Sequence, residues 1–104
     1  MSTALFALAE SSPGRFSAQG SLLFANAAAA FRAGLVSLSA SAARELSIDC
    51  SGVVASDSAG LAVLVEWLSW AKRDQRRLRL LHLPEQVQKI AQISELDELL
   101  AAGV

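Results

Sequence analysis

The chain has 104 residues, of which 53% are hydrophobic, so it can bury one sizeable core but is too short for two ordinary domains, and we expect one domain over residues 1–104. Its formal charge of −1 provides no field that would draw it onto nucleic acid or an anionic bilayer. The single cysteine, Cys50, excludes an internal disulfide, and the start MSTALFALAE lacks the basic, cleavable pattern of a secretory signal, so we expect a cytoplasmic protein.

Two short apolar runs near the start predict an antiparallel hairpin. They cover residues 4–10 and 15–24, and Pro13, followed by glycine, is a turn signal between them. The alanine-rich residues 25–38 then predict a helix, for which Asn26 is the candidate N-cap.

The second half of the sequence alternates strands and helices. The alternating apolar residues of 45–54 and of 78–83 predict two strands, separated by a helix over 58 to about 75. A strand, a helix and a strand in this order predict a parallel pair joined by a right-handed crossover. Pro84, in the first-turn position, opens a last helix over 84–100. We expect an α/β or α+β fold with a mixed sheet of four to five strands covered by about three to four helices.

The helix over 58–75 carries two apolar stripes that point in different directions, so that one surface cannot cover both. One stripe has the spacing of a face that packs on a sheet and contains Leu61, Leu64, Val65 and Leu68. The other lies about 130° around the helix and contains Val63, Trp67 and Trp70. Either a neighbouring helix of the same domain covers this second stripe, or the stripe is a docking face for another protein.

The most apolar stretch, 61–70, is about half of the ~20 residues that span a bilayer, so we expect no direct membrane insertion.

The head of this helix, SDSAG, is a candidate site. Ser56 or Asp57 can cap the free N–H groups of the helix. Ser58, beside the small residues Ala59 and Gly60, presents its hydroxyl with little steric cover. A phosphate there would be stabilised by the helix N-terminus and repelled by Asp57, so Ser58 is a candidate for phosphorylation or for partner contact.

Residue types for catalysis and for metal binding are few. Ser58, His82 and either Asp49 or Asp57 could supply a hydrolytic triad, but SDSAG lacks the first glycine of the Gly-x-Ser-x-Gly elbow, so we expect no enzyme. One cysteine and one histidine are too few for a Cys/His metal cluster, and no Walker-type loop is present, so we expect no metal and no cofactor. The basic run 72–77 is explained by the helix dipole in preference to nucleic-acid binding.

Residues 46–100 resemble the STAS domain, a sheet-and-helix module of anti-sigma factor antagonists and of transporter regulatory subunits. The resemblance is carried by Asp57 and Ser58 before a small residue, glycine and leucine at the head of the long helix. It is also carried by ISELDELL, which is similar to the closing helix of the family. The resemblance implies a STAS-like fold, with Ser58 at the position of the phosphorylatable residue of the family.

Within the family, the chain is most similar to the stand-alone cytoplasmic subunits of ABC transporters that move phospholipid and maintain lipid asymmetry. The resemblance implies that it binds the ATPase subunit and lies at the inner membrane through that partner. The candidate contact residues, from the helix head and the second stripe, are Asp57, Ser58, Ala59, Val63, Trp67 and Trp70. The alternative is an anti-sigma factor antagonist-type switch controlled by phosphorylation of Ser58. Residues 21–24, SLLF, replace the acidic strand end that is usual in the family, which favours the transporter subunit.

Overall fold

The computed structural model describes residues 6–104, which form a mixed sheet in the order β1-β2-β3-β4 with helices packed on it. The elements are β1 (Phe6–Ser12), β2 (Arg15–Leu22), α1 (Ala27–Ala40), β3 (Glu45–Ser56), α2 (Ser58–Arg73), β4 (Arg77–Leu81), α3 (Glu85–Ile93) and α4 (Asp97–Ala102). The expected α/β architecture is therefore confirmed, with four strands and four helices in this part of the chain.

Strands β1 and β2 form the predicted antiparallel hairpin. Gly14 in the turn has a φ of +80°, in the left-handed region that favours glycine. Its N–H donates a hydrogen bond to the Glu10 carboxylate at 2.9 Å, which holds the turn against the end of β1. The predicted strand 4–10 began at residues that lie outside the described ones, and β1 runs on to Ser12.

Each of the two long helices joins a parallel pair of strands. Helix α1 connects β2 to β3, and helix α2 connects β3 to β4. The parallel pair β3–β4 is the one that the strand–helix–strand order predicted. Strand β3 extends two residues beyond the predicted 45–54 because its pairing with β2 continues to Leu22 and Ser56.

One face of the sheet holds the core, and no helix of the described residues 6–104 covers the other, which we call the open face. The buried strand residues alternate along β2, β4 and the first half of β3, and include Phe16, Ala18, Leu46, Ile48, Cys50, Leu78 and Leu80. Burying one side chain of leucine or isoleucine size contributes about 1.5–3 kcal/mol, so these residues fix which face receives the helices. The intervening residues are exposed or half-buried and mostly polar.

Helix α2 is covered on both of its apolar stripes. The stripe that packs on the sheet is confirmed, because its buried members include Leu61, Leu64 and Leu68. On the second stripe Val63 is buried, and Trp67 has no exposed surface. The indole Nε1–H of Trp67 donates to the carbonyl of Phe31 in α1 at 3.2 Å, and its ring lies 6.0 Å from that of Phe6. Val63 and Trp67 are therefore buried within the domain, and α1 covers Trp67, as in the alternative where the domain itself covers the second stripe.

Two helix ends differ from the prediction for the same physical reason. Gln75 and Glu95 have φ values of 60° and 61°, the left-handed conformation that closes a helix. Helix α2 therefore ends shortly before residue 75. The predicted helix over 84–100 is broken into α3 and α4, and the N–H of Leu96 donates back to the carbonyl of Ala91 at 2.8 Å.

The two residues that were predicted to start helices, Asn26 and Pro84, act differently from the expectation. Asn26 occupies the N-cap position of α1, but its side chain makes no capping bond to that helix. Its Oδ1 accepts from the N–H of Leu23 at 2.9 Å and its Nδ2 donates to the carbonyl of Ser21 at 2.8 Å, which closes the turn between β2 and α1. Pro84 is the N-cap residue of α3 and lies just before its first turn.

Candidate functional site

Asp57 joins the head of α2 to the loop that follows β2. Its backbone is extended, and its Oδ1 accepts hydrogen bonds from the N–H groups of Ala59 at 2.9 Å and Gly60 at 3.2 Å. An aspartate suits this position because the first N–H groups of a helix have no partner within the helix. Its Oδ2 accepts from the N–H of Phe24 at 3.0 Å. The predicted cap is confirmed, and the same carboxylate also ties Phe24 to the helix.

These hydrogen bonds favour the charged form of Asp57. The N–H of Phe24 makes the largest contribution and lowers the pKa of the carboxyl below its ordinary value of 3.8. Partial burial acts in the opposite direction, and the N–H groups of Gly60 and Ala59 lower the pKa further. The head of α2 therefore carries a fixed negative charge at neutral pH.

Ser58 is exposed at the first residue of α2, and its hydroxyl makes no hydrogen bond with another described residue. Ala59 is half-buried, and Gly60 is buried. A Cβ at position 60 would collide with the carbonyl of Leu22 and the hydroxyl of Ser56. The small residues therefore let the helix head approach the sheet closely while the Ser58 hydroxyl stays in solvent.

Two large apolar side chains are exposed at the same end of the sheet. Phe24, in the loop beyond the end of β2, is 85% exposed, and Val54, near the end of β3, is 79% exposed. The two strands are parallel and end side by side, with Leu22 opposite Ser56. Large exposed apolar groups at one end of a sheet make that end a candidate interaction site. We define the head surface as Phe24, Val54, Asp57, Ser58 and Ala59.

The sequence reasoning missed Phe24 and Val54. Phe24 ends an apolar run that is typical of a strand, and the signal that could have placed it in a loop is the turn-forming Asn26 just after it. Val54 is exposed because the pairing shifts here. Val53 and Ala55 pair with consecutive residues of β2, so Val54 is an extra residue in β3. The local signals for that bulge are two glycines inside the paired strands, Gly52 in β3 and Gly20 in β2, which pairs with Val53 and has a φ of +103°.

The structure separates the six predicted contact residues into two groups. Asp57, Ser58 and Ala59 lie together on the head surface, whereas Val63 and Trp67 are buried in the core. Trp70 is half-buried near the other end of α2, about 18 Å from Ser58 at 1.5 Å per helical residue. The guanidinium of Arg76 lies 5.4 Å from the centroid of its ring. A contact role remains a prediction for the three residues at the helix head and for Trp70.

The residue types considered for catalysis do not assemble into a triad. The Nδ1 of His82 lies 3.1 Å from the Oδ1 of Asp49, but the Ser58 hydroxyl bonds to neither.

Burial raises the pKa of the Cys50 thiol to about 12, so the thiol stays protonated at neutral pH. Within residues 6–104, no group of three or more His, Cys, Asp or Glu side chains is placed to hold a metal ion. No helix in that range is long and apolar enough to cross a bilayer.

Comparison with known proteins gives a family and a fold. The family described as Mlab, STAS domain, matches residues 7–101, well beyond the residues 46–100 that carry the resemblance in the sequence. The solved structure of the anti-sigma factor antagonist SpoIIAA in its unphosphorylated form is similar, with a TM-score of 0.69 and 17% sequence identity. The match covers 90% of this chain and 84% of that chain. At this identity the likeness shows the fold alone. No curated protein matches the chain.

Proposed function

Since the chain belongs to the family of Mlab STAS domains, we propose that it is an accessory subunit of an ABC transporter that moves phospholipid between bacterial membranes. In this role it binds the cytoplasmic ATPase subunit, an MlaF-like protein, and supports its assembly or activity. It inserts no segment of its own into the bilayer and reaches the inner membrane through this partner. It performs no catalytic step and needs no cofactor.

The observation that carries the proposal is the composition of the head surface. Phe24 is exposed beside the fixed carboxylate of Asp57, Val54 is exposed at the same end of the sheet, and the Ser58 hydroxyl has no described partner. Burying a phenylalanine side chain against a partner contributes about 1.5–3 kcal/mol. A central apolar anchor within a polar rim is the usual arrangement of protein–protein interfaces.

Asp57 supports this role by holding the anchor in place before binding. Its Oδ2 fixes the backbone N–H of Phe24, while its Oδ1 fixes the first turn of α2. A loop that is ordered in advance loses less conformational entropy on binding. The head surface therefore meets its partner with the Phe24 loop already oriented.

The test uses two valines that are both exposed but lie on different surfaces. Val54 is on the head surface, whereas Val36 is 69% exposed on α1. The tagged wild-type protein and the variants Val54→Ala, Val36→Ala and Phe24→Ala are co-expressed with the ABC ATPase subunit of the same cell, and the affinity of each complex is measured. We expect Phe24→Ala to cost about 2 kcal/mol of binding free energy. We expect Val54→Ala to weaken binding and Val36→Ala to leave it unchanged.

Two outcomes would contradict the proposal at different levels. Equal affinity of the wild type and of the double variant Phe24→Ala with Val54→Ala would remove the head surface from the interface. Absence of binding between the wild-type protein and the ABC ATPase subunits of its own cell would remove the transporter role itself.

The exposure of Ser58 favours one second candidate, a switch protein of the anti-sigma factor antagonist type that is controlled by phosphorylation. A phosphate there adds a charge of about −1.5 to −2, favoured by the helix N-terminus and opposed by Asp57. Mass spectrometry of the protein from its native cell distinguishes the two candidates. Phosphate on Ser58 together with a co-purified kinase supports the switch, and unmodified Ser58 with a co-purified ATPase subunit supports the transporter role.

A further inference from the structure

The open face of the sheet carries three arginines. Strand pairing places Arg15, Ser47 and Arg79 in one row, and places Arg77 beside Glu45 near the start of the strands. Side chains of one row project from the same face, and this face is opposite to the one that holds the buried strand residues. The spacing between strands sets Arg15 and Arg79 about 10 Å apart, with the Ser47 hydroxyl between them.

The three guanidinium groups have no side-chain partners among the residues that the structure describes. Arg15, Arg77 and Arg79 are exposed, and none forms an ion pair or a side-chain hydrogen bond with another residue of the described range 6–104. Asp49, on the same face, already accepts from a backbone N–H and contacts His82. The arginines therefore keep free donors in the fork geometry that matches a carboxylate.

The surroundings of this face are also positive. Arg44 lies beside the start of β4, because its carbonyl accepts from the N–H of Arg77 at 2.9 Å. Helix α2 ends at the same end of the sheet with Lys72 and Arg73 in its last turn. The formal charge of −1 is therefore an average over a chain whose cations are gathered mainly where the parallel strands begin.

The face has the shape of a shallow trough. A concavity of ≈ 910 Å³ lies over it, lined in part by Arg15, Ser47 and Arg79. Val104 forms part of its wall, because the N–H of Val104 donates to the carbonyl of Leu78 at the edge of β4 at 3.1 Å. The trough has room for a short extended segment that lies across the strands.

The distribution of charge favours a polypeptide as the occupant over a nucleic acid or an anionic bilayer. Glu45 and Asp49 lie among the arginines and would repel a surface that carries only phosphates. A peptide can instead place an amide or a hydroxyl opposite these carboxylates. Among the described residues, no phenylalanine or tryptophan is exposed on this face for the stacking of bases, and the imidazole of His82 is held against Asp49.

We propose that the open sheet face binds an acidic segment of a partner protein, whose carboxylates pair with Arg15 and Arg79 on either side of Ser47. This site is separate from the head surface, because the arginines lie near the start of the parallel strands and the head surface lies at their end. The protein then has two binding surfaces, an apolar one and a cationic one, at opposite ends of one sheet.

The test measures the anisotropy of a fluorescein-labelled peptide of alternating glutamate and serine, at low and at high salt. We expect the wild-type protein to bind it, and we expect high salt to weaken binding. The double variant Arg15→Gln with Arg79→Gln should bind about tenfold more weakly, which corresponds to two exposed ion pairs. The control is Arg32→Gln with Lys89→Gln, which removes the same charge from two exposed helical positions. It should bind as the wild type does.

Three results would overturn the proposal. The first is absence of peptide binding by the wild type. The second is an equal loss of affinity in the control variant, which would show that only the net charge of the protein matters. The third is preferential binding of single-stranded poly(U) RNA or of phosphatidylglycerol vesicles through the same two arginines. The variant Val54→Ala should bind the peptide normally, so failure of this site is distinguishable from failure of the head surface.

Discussion

The indole ring of Trp67 fills the space beside Gly34 that any Cβ at position 34 would need. The two residues lie where α1 crosses α2, and both are buried. The hydrogen bond from the Nε1–H of Trp67 to the carbonyl of Phe31 fixes the ring in this position. A glycine that is unfavourable to a helix by itself is therefore what lets α1 cover the second stripe of α2.

Gly34→Ala should destabilise the protein although alanine is the better helix former. The gain in helix propensity is up to about 1 kcal/mol, whereas overpacking against a fixed aromatic ring costs about 1–3 kcal/mol. Urea unfolding gives the difference. In a Trp67→Phe background, where the colliding part of the indole is absent, the same substitution should cost clearly less. A more stable Gly34→Ala single variant would show that the helices are packed differently.

Trp67→Ala should cost as much stability as Leu64→Ala. Both side chains are at most 2% exposed, so each substitution leaves a cavity in the core. The expected losses are about 2–5 kcal/mol for the leucine and about 3–5 kcal/mol for the tryptophan. Thermal unfolding measures both, with Glu66→Ala as the exposed control on the same helix. A Trp67→Ala protein as stable as this control would restore the docking interpretation of the stripe.

The core could be read from the sequence because strand and helix periods are strong signals. The buried positions of β3 and the sheet-facing stripe of α2 follow directly from spacing. The cover of Trp67 could not be read, because it depends on the absence of one Cβ at Gly34, in a helix distant in sequence. The break before α4 was also missed, because it rests on Glu95 in a left-handed conformation that glutamate seldom adopts.

The contribution of Asp57 to stability should depend on pH. Its folded pKa is lowered, so the contribution is fully present above the unfolded value of 3.8 and is lost as the pH falls through the folded pKa. Asp57→Asn keeps a capping oxygen but does not titrate. The wild type should therefore be the more stable at neutral pH, and the difference should shrink below about pH 4. Urea unfolding from neutral to acid pH measures it.

Two other carboxyl groups also have lowered pKa values. The comparison with Asp57→Asn separates the pH-dependent contribution of Asp57 from theirs. Hydrogen bonds from the N–H groups of Gly14 and Ser51 lower the pKa values of Glu10 and Asp49. Both of these groups titrate in either protein, so their effects cancel in the difference. A difference that stays constant down to acid pH would show that the charge of Asp57 contributes nothing.

Ser58→Asp should leave the fold intact and weaken binding to the ATPase subunit. The new carboxylate gains from the helix dipole but stands beside Asp57, and it adds charge to the head surface. Ser58→Ala removes only an exposed hydroxyl and should have a small effect. Isothermal titration with the purified partner measures both variants. Equal affinities of Ser58→Asp and the wild type would exclude Ser58 from the interface.

Arg76→Lys should destabilise the protein although the charge is kept. The Nη1 of Arg76 donates to the carbonyls of Leu38 and Ser41 at 3.2 and 2.8 Å, and its Nε donates to Asp74 at 2.8 Å. A lysine does not reproduce this planar fork, so we expect a loss of about 1–3 kcal/mol. Thermal unfolding should show a fall in Tm, whereas Arg73→Lys, at an exposed position, should not.

The head surface was predictable in part. Asp57 and Ser58 could be predicted from capping rules, because an aspartate just before a helix usually accepts hydrogen bonds from the first N–H groups of that helix. Phe24 joins them only through a hydrogen bond between residues far apart in the sequence, and Val54 only through a bulge whose position depends on the neighbouring strand. The row of arginines also depends on contacts between residues far apart in the sequence, since the strand register decides that Arg15 and Arg79 flank Ser47.

The strand order β1-β2-β3-β4 repeats the order of the strands in the chain. Each new strand is therefore added to an edge that already exists, and none has to be inserted between two others. During synthesis the β1–β2 hairpin can form while β3 is still inside the ribosome, and each helix then closes over the strands made before it. An isolated two-stranded hairpin is only marginally stable, so we expect nascent chains to gain protease resistance only after β3 and α2 have emerged and the core is covered.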